Sequence, residues 1–503
     1  MNNTISVRDS HPFVNDPLDG LNFDQRLTDA ANARRFAERY KDRLMYVPQR
    51  GGWLVWNGRF WQPDTGPTVR ELAIEAAVAI AEEAHTEPDV NRKQEVLEHS
   101  TGSLASGRLC AMTTIAADLM TVSASALDTG HELLNVANGT IDLRTGKLRP
   151  HDPADRITRM IPVEHHPGVR AARWEQFLRE IFQDDEELIA FVQRAIGLSI
   201  TGRRERVLFV AEGVGANGKS VLLDTICEII GDYAARISAN VILSGKYQAD
   251  GNSASPELAK LAGKRMVVAS ETDEGRQLNC ALVKTITGDS HRVARHLYQS
   301  SFEYEATDTI WLATNHLPVI GDAETAVLDR IRRVPFRRRF SEAEQDKYLL
   351  DKLRAERAGI LAWLVAGAAA CVRDGLGTCA AVEQAGTEYA MENDSVLAFL
   401  DERCRVEPGN RELRAAPSAL HQEYQRFCAE AGRSAVSQKQ FARQLQEVHK
   451  LSQGKSGGGR YWLGISVRVE PDTSLPEDVR AEPDQPEATG ESLLSGRLIL
   501  SQT

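Results

Sequence analysis

The feature that most constrains this chain is an apolar strand that runs into a glycine-rich loop and then into an apolar helix. The strand spans residues 207–210, the loop 213–220 and the helix 221–230. The loop reads GVGANGKS and matches the spacing GxxxxGK[ST], which lets backbone N–H groups wrap around a phosphate chain at a helix N-terminus. Short apolar strands alternate with helices from residue 206 to about 340. This pattern predicts a parallel α/β sheet that binds a nucleotide.

Each residue type in the loop suits that chemistry. Glycines let the backbone approach the ligand, the Lys219 ammonium supplies a point charge for the β- and γ-phosphates, and the Ser220 hydroxyl ligates Mg²⁺. ATP and Mg²⁺ are therefore the expected cofactors. The residues predicted to bind the nucleotide are Gly213, Gly215, Asn217, Gly218, Lys219, Ser220 and Val221.

Polar residues follow two further apolar strands. The strand at 266–270 is followed by Glu271 and Asp273. We predict that the Glu271 carboxylate holds the metal ion and polarises the attacking water, with Asp273 as the second choice. A solvated acidic turn is the alternative. The strand at 309–314 is followed by Asn315, whose amide suits a contact with the attacking water or the γ-phosphate. A structural cap is the competing interpretation there.

Three arginines lie within four residues after these strands. The segment 329–336 reads DRIRRVPF and contains Arg330, Arg332 and Arg333. Some of these side chains could cover the protein's own surface. A guanidinium supplied from a neighbouring subunit would instead stabilise the charge of a transferring phosphoryl group, which predicts a ring.

The order and spacing of these elements resemble the superfamily 3 helicases, in particular the phage, plasmid and poxvirus primase-helicase branch. The segments that carry the resemblance are 213–220, 261–265 with 269–272, 284–289 (KTITGD), 313–316 and 329–336. The resemblance implies an AAA+-like ATPase core that forms a homo-hexameric ring and moves along single-stranded DNA with 3′-to-5′ polarity.

The resemblance also assigns roles to individual residues. It implies Lys219 and Ser220 as Walker A, Glu271 as the Walker B acid, Asn315 as sensor 1, and Arg330 or Arg332 as the arginine finger. The segment 284–306 matches a motif that contacts DNA in the pore. Its candidate contacts are Lys284, Arg292, Arg295 and His296.

Composition excludes several classes. The seven cysteines are odd in number, scattered and without CxxC spacing, which argues for reduced thiols and against structural zinc. The first nine residues lack an apolar signal core, and the longest apolar run, 360–372, is short for a bilayer span and predicts a buried helix. We expect no membrane association and a cytoplasmic location in a bacterial or phage-infected cell. Three clustered tryptophans, Trp53, Trp56 and Trp61, favour a hydrophobic core over a base-stacking surface.

Charge is distributed unevenly along the chain. The formal charge is −11, yet residues 411–468 carry ten Lys/Arg against four Glu, whereas residues 470–491 carry eight acids and one Arg. The pattern of the basic segment indicates two helices followed by a Gly-rich hairpin, and this order predicts a winged helix. Lys439 and Arg443 lie four residues apart on its candidate recognition helix and are predicted to bind DNA. A protein-docking winged helix is the alternative.

The predicted fold class is α/β: an AAA+-like P-loop ATPase with a parallel sheet, preceded by an α+β and helical N-terminal domain and followed by a winged-helix domain. The predicted divisions are a disordered lead-in 1–28, an α+β domain of phage primase type 29–165, a helical bundle 166–202, the ATPase core 203–345, a helical lid and linker 346–392, the winged helix 393–468 and an acidic disordered tail 469–503.

The leading functional hypothesis is an ATP-dependent DNA helicase in phage, prophage or plasmid replication, acting on single-stranded or forked DNA. The first 200 residues show neither zinc-ligand cysteines nor an Asp-x-Asp pair followed by a His motif, so we expect priming to be absent or supplied by a separate primase or polymerase. Two alternatives stay open. One is a bifunctional primase-helicase, and the other is a non-catalytic, ATP-switched origin-binding or loading protein.

Overall fold

The computed structural model describes residues 16–244, 256–270, 276–295, 301–320, 327–431, 435–447, 449–456 and 459–468. Contacts divide the chain into two compact units, Met1–Asp394 and Ser395–Thr503. Each unit is considered by itself. The predicted tail 469–503 and the first fifteen residues of the predicted lead-in lie outside the described residues.

The N-terminal part of the first unit combines helices with two small antiparallel sheets, ordered β1-β2-β3 and β4-β5-β6. Trp61 is 2% exposed and donates from Nε1 to the Pro153 carbonyl at 2.9 Å, which confirms its predicted core position. The elements are α1 (Phe23–Arg26), α2 (Asp29–Tyr40), β1 (Leu44–Val47), β2 (Gly52–Trp56), β3 (Trp61–Pro63), α3 (Thr68–Ala79), α4 (Val90–Ser103), α5 (Ser106–Leu119), β4 (Leu133–Val136), β5 (Gly139–Asp142) and β6 (Lys147–Arg149). One of them, α1, lies within the lead-in that was predicted to be disordered, so that prediction is wrong for residues 23–26, where a capping box between Asn22 and Gln25 starts a helix.

Helix α4 is not predicted by the sequence pattern. Its buried positions are Val96 and three polar residues, His99, Ser100 and Ser103. His99 Nε2 lies 3.0 Å from Asn32 Oδ1, and Ser100 donates to the Ala77 carbonyl at 2.8 Å. The helix therefore buries a polar face through hydrogen bonds, which a search for apolar periodicity does not detect.

Two amphipathic helices, α6 (Ala172–Phe182) and α7 (Glu186–Thr201), lead into the main sheet. Asp185 caps α7 by accepting from the Leu188 N–H at 3.0 Å. Their apolar faces, including Trp174, Phe177 and Phe191, are buried in the largest hydrophobic cluster of the first unit. The predicted helical bundle is thus built around the residues whose spacing indicated it.

The main sheet has five parallel strands in the order β15-β7-β14-β10-β8. The chain leaves β7 for the far edge and returns to the opposite side of β7, so a topological switch point lies there, where open α/β sheets bind ligands. The elements are β7 (Leu208–Glu212), α8 (Lys219–Ile230), β8 (Ala234–Ser238), β9 (Leu243–Ser244), α9 (Pro256–Ala259), β10 (Met266–Ser270), β11 (Gln277–Leu278), α10 (Cys280–Gly288), β12 (His291–Arg295), β13 (Ser301–Glu305), β14 (Thr309–Thr314) and β15 (Ile331–Pro335).

Both faces of this sheet are buried. Phe209 and Trp311 stack with centroids 4.5 Å apart on one face, where Trp311 Nε1 donates to Ser199 of α7 at 2.9 Å. Leu208 and Leu312 belong to a second cluster on the other face, because successive strand residues point to opposite sides. Burial on both sides explains why these strands read as continuous apolar runs.

Three helices complete the first unit: α11 (Leu349–Ala355), α12 (Arg357–Asp374) and α13 (Ala380–Asn393). The apolar run 360–372 lies in α12, whose Ile360, Leu364 and Ala368 are buried, as predicted. A Cβ on Gly367 would overlap the Gln193 carbonyl of α7, so glycine permits the close helix contact. Within the described residues no single helix is long and apolar enough to cross a membrane. Taken together, α11 and α12 have the length and composition of a span, but the two helices are bent by 74° relative to each other.

The described residues of the second unit form three helices and five short strands. Its core stacks Tyr424 on Phe441 with centroids 4.6 Å apart and packs Phe399 against both. Ser437 and Gln440 exchange hydrogen bonds at the start of α16, which lies where the sequence predicts a helix. The elements are α14 (Ser395–Arg403), β16 (Cys404–Val406), β17 (Arg414–Ala415), α15 (Pro417–Glu430), α16 (Gln438–Glu447), β18 (Ser452–Ser456), β19 (Gly459–Leu463) and β20 (Ile465–Val467).

Candidate functional site

The side chain of Lys219 lies at the centre of the candidate site. It is 5% exposed, and its Nζ donates to the Gly213 carbonyl at 2.9 Å, the Thr314 carbonyl at 2.6 Å and Asn315 Oδ1 at 2.9 Å. The loop after β7 and the residues at the end of β14 therefore meet at one amine. The neighbouring positions of β7 and β14 in the sheet make this possible.

Burial determines the electrostatics of this lysine. Loss of hydration lowers the pKa of the Lys219 ammonium below its ordinary value, and the Glu212 carboxylate opposes that shift. Its three acceptors are neutral oxygens, so no carboxylate within hydrogen-bond distance neutralises the charge among the described residues. An anion that approached the loop would supply the missing counter-charge.

The loop backbone is fixed by close packing. Gly218 has φ +84°, in the left-handed region, and a Cβ there would overlap Ile181 of α6 and approach the Phe177 ring to 3.2 Å. The Asn217 side chain accepts from the Lys219 N–H at 3.2 Å. Only glycine meets both the backbone and the space requirement at position 218.

The loop fits the phosphates of a nucleotide. Gly218, the residue before α8, gives the helix no side-chain cap, so the N–H groups that follow the one of Lys219 in the first turn of this twelve-residue helix are not capped by a side chain. Asn217 is 3% exposed, yet its Nδ2 has no hydrogen-bond partner among the described residues. Ser220 is exposed at the first turn of α8. A polyanion in the loop would satisfy these donors.

The strands that precede the predicted Walker B and sensor residues, β10 and β14, are neighbours in the sheet. Ser270, the last residue of β10, pairs with Ala313 of β14, two residues before Asn315. Asn315 contacts Lys219, as described above. Glu271 and Asp273 lie outside the described residues, so their assignment stays a prediction.

The three predicted arginines occupy different environments. Arg330 donates to the Lys284 carbonyl at 2.7 Å and to Thr287 Oγ1 at 2.8 Å, whereas Arg332 donates to backbone carbonyls of its own segment. Arg333 pairs with Glu212 at 3.1 Å. All three guanidinium groups therefore make contacts within this chain, and the role of Arg330 or Arg332 in a neighbouring site stays a prediction.

The predicted DNA contacts of the first unit are not equivalent. Arg292 is 6% exposed and pairs with Asp308 at 2.8 Å, so its guanidinium is used inside the protein. Lys284 is half-buried on α10. Arg295 ends β12, but its side chain lies outside the described residues, as does His296. Burial of an ion pair was not visible from the position of Arg292 in the sequence.

In the second unit, Lys439 and Arg443 are exposed on one side of α16, and Phe441 and Leu445 are buried on the other. Arg443 contacts Glu447 at 3.2 Å in an exposed pair, which contributes little to stability. Nearby in sequence, β18 and β19 form a hairpin in which Lys455 pairs with Arg460. The residues between these strands, 457–458, lie outside the described residues.

Sequence reasoning did not identify Glu212, Arg333 or the segment 336–340 as neighbours of the loop. The Phe336 N–H donates to the Glu212 carbonyl, and the Phe340 N–H donates to the Ala216 carbonyl, both at 2.8 Å. A run of three arginines, 337–339, was the available signal.

Comparison with known proteins adds a family relationship. The family model described as "D5 N terminal like" matches residues 33–183. A frog virus 3 protein named "Putative helicase" is 27% identical over 309 residues, covering 57% of this chain and 29% of that protein. An African swine fever virus protein named "Putative primase" is 27% identical over 214 residues, covering 41% and 22%. The chain thus carries a segment that matches this family model, and it is similar to viral proteins named as putative helicases and primases. The resemblance inferred from the sequence is thereby confirmed.

The chain spans less than a third of the length of these relatives. Among solved structures, the apo C-terminal region of NrS-1 is 12% identical, with a TM-score of 0.42 and coverage of 61% of this chain and 78% of that one. The family model lies entirely before Lys219, so it describes the N-terminal part and α6 rather than the phosphate loop.

Proposed function

We propose that this chain is an ATP-dependent DNA helicase motor. The observation that carries the proposal is the position of Lys219, whose amine lies between the glycine-rich loop and the carboxyl end of β14. That arrangement suits recognition of the β- and γ-phosphates of ATP. The loop, Lys219 and Ser220 would hold the nucleotide, with Ser220 and the predicted acid Glu271 as ligands of Mg²⁺. A bound Mg²⁺ would neutralise charge on the phosphates.

The finer assignment is a P-loop ATPase core of the AAA+-like, superfamily 3 type. It is supported by a five-stranded parallel sheet whose switch point lies at the phosphate loop. Asn315 would orient the γ-phosphate or the attacking water from the end of β14, as its contact with Lys219 suggests. Lys219 would exchange one of its three neutral acceptors for a phosphate oxygen, because its ammonium group has only three N–H donors.

DNA is the proposed polymer substrate, in single-stranded or forked form. The viral relatives carry helicase and primase names, and the second unit has exposed Lys439 and Arg443 on a helix followed by a basic hairpin. We interpret this unit as a winged helix that contacts DNA phosphates. A homo-hexameric ring with 3′-to-5′ polarity, with Arg330 or Arg332 contributed between subunits, completes the hypothesis.

A bifunctional primase-helicase is the second candidate, because relatives from African swine fever virus are named as primases. Incorporation of labelled ribonucleotides on a bare single-stranded template distinguishes it from a helicase alone. Products of a few nucleotides from the purified chain would establish priming. Their absence, in a preparation that unwinds DNA, would leave the helicase.

The proposal is tested by ATP hydrolysis and strand displacement by the purified chain. We expect single-stranded DNA to stimulate hydrolysis and forks with a 3′ tail to be unwound in preference to forks with a 5′ tail. Native mass with a slowly hydrolysed ATP analogue and single-stranded DNA should show six copies. Equal hydrolysis rates with and without DNA, together with no unwinding, would refute a motor. The variant Glu271→Gln separates a motor, which loses unwinding, from an ATP-switched loading protein, which stays assembled and competent.

A further inference from the structure

The segment 336–340, which we call the strap, runs beside the phosphate loop and is tied to it at both ends. The Phe336 N–H donates to the Glu212 carbonyl just before the loop, and the Phe340 N–H donates to the Ala216 carbonyl within it, both at 2.8 Å. Five consecutive strap residues therefore follow the course of the loop residues opposite them. These two hydrogen bonds hold the backbone of the strap beside the phosphate loop.

A cavity of about 240 Å³ lies between the loop and the strap. The loop contributes Gly213 and Val214, and an apolar wall comes from Pro335 and Phe336. The remaining lining residues are charged: Glu212, Arg333, Arg337, Arg338, Arg339 and Glu388. Four arginines against two glutamates make the cavity cationic, which favours an anionic ligand.

Two of these arginines are already used by the protein. Arg333 bridges Glu212 at 3.1 Å and Glu388 at 3.5 Å. Arg338 pairs with Glu344 at 3.2 Å and lies over the Phe340 ring. Arg337 and Arg339 are exposed and have no hydrogen-bond or ion-pair partner among the described residues. Their two positive charges are not compensated locally.

The position of Lys219 indicates which part of a nucleotide would lie at this end of the loop. Its Nζ contacts the Gly213 carbonyl, and the lysine of such a loop reaches the β- and γ-phosphates. Gly213 also lines the cavity. The cavity therefore adjoins the terminal phosphates of the bound nucleotide rather than its base.

We propose that Arg337 and Arg339 of the strap bind the terminal phosphate of ATP from within the same chain and discriminate the triphosphate from the diphosphate. This inference rests on the proposed nucleotide binding at Lys219. It adds a phosphate contact separate from the arginine finger, Arg330 or Arg332, which the family resemblance predicts to act in a neighbouring subunit. Charge-assisted hydrogen bonds from a guanidinium to phosphate are strong enough to produce such selectivity.

The test measures binding of a slowly hydrolysed ATP analogue and of ADP to the full chain by calorimetry with Mg²⁺ and without DNA. For the double variant Arg337→Ala/Arg339→Ala we expect affinity for the analogue to fall by about 10-fold or more and affinity for ADP by less than about 2-fold. The double variant Arg337→Lys/Arg339→Lys should retain an intermediate preference for the analogue, because charge is kept but the planar fork is lost.

Arg373→Ala is the matched control, because Arg373 is an exposed arginine that pairs with Asp374 on α12. It should bind both ligands as the unchanged chain does. Equal affinity of the double alanine variant and the unchanged chain for the analogue would overturn the inference, and so would an equal loss for both nucleotides. Single variants replace the double variant if its thermal unfolding is altered. If Lys219→Ala binds both nucleotides normally, the proposed function itself fails, which is a distinct result.

Discussion

The two cationic regions of this chain present positive charge in opposite ways. Lys219 is 5% exposed and its ammonium is held by three neutral oxygens at 2.6–2.9 Å. Lys439 and Arg443 are exposed on α16, and only Arg443 has a described ion-pair partner, Glu447. The first charge is held inside the protein by three hydrogen bonds, whereas the charges of the second region face solvent.

This difference indicates the kind of anion that each region suits. A buried, pre-oriented amine interacts strongly with one small anion at a fixed distance and is weakly screened by salt. Exposed side chains on a helix suit a repeating polyanion, whose binding releases counterions and weakens steeply as salt rises. We therefore expect nucleotide binding and DNA binding to respond differently to substitution and to ionic strength.

The largest expected effect is at the buried amine. Lys219→Ala should lower the rate of ATP hydrolysis by about 100-fold or more, because a preorganised charge aimed at the phosphates is removed. DNA binding by the second unit should change by less than about 2-fold at the same salt concentration. Steady-state phosphate release and fluorescence anisotropy with labelled DNA measure the two quantities. Normal hydrolysis by this variant would contradict the fixed-site assignment.

The next largest effect is expected from substitution of Gly218, which should lower both stability and nucleotide binding. Gly218→Ala forces φ +84° on a residue with a Cβ and pushes that atom into Ile181, so we expect a loss of about 2 kcal/mol in unfolding free energy and loss of nucleotide binding. Gly215→Ala is the matched control for stability, because a Cβ there meets nothing within 4 Å. Urea titration compares them. Equal stability of the two variants would show that the loop is not held as rigidly as described.

A smaller effect is expected on the exposed helix. Lys439→Ala/Arg443→Ala should weaken DNA binding by about 10-fold and reduce the slope of log affinity against log salt by about two. Hydrolysis of ATP without DNA should be unchanged. The control Arg403→Ala removes a half-buried arginine that pairs with Glu430 in the same unit. An unaltered salt slope in the double variant would favour the alternative of a protein-docking surface.

The smallest effect concerns His99 in the helical N-terminal part. Burial, with help from Arg35 and Arg108, lowers the pKa of His99 below its usual 6.5. The folded state then binds fewer protons than the unfolded state, so this stabilising contribution is present above about pH 6.5 and is lost as the pH falls. His99→Gln should flatten the decline of Tm between about pH 7 and pH 5. An unchanged slope, matching that of the exposed-site control His85→Gln, would exclude His99 as a cause.

Local sequence patterns predicted most of the described elements and indicated the loop and the strand end that meet at Lys219. The sequence pattern indicated the loop at 213–220 and the asparagine after β14, and the structure brings both to Lys219. They meet because parallel strands deliver their carboxyl ends to one edge of the sheet. Helix α4 was missed because it buries polar residues. The burial of Arg292 with Asp308 was missed because Asp308 lies sixteen residues further along the chain, in the connection that precedes β14.

The sequence by itself determined the positions of the loop glycines, of the Lys219 amine and of the strand ends. It could do so because backbone freedom and hydrogen-bonding capacity depend on the type of each residue. Only the tertiary structure decided which charges are neutralised. Arg333 is paired with Glu212, Arg292 is buried with Asp308, and Arg337 and Arg339 line the cavity beside the loop. These outcomes depend on strand order and on packing between distant segments, because an ion pair forms only where the fold brings two charges within a few ångströms.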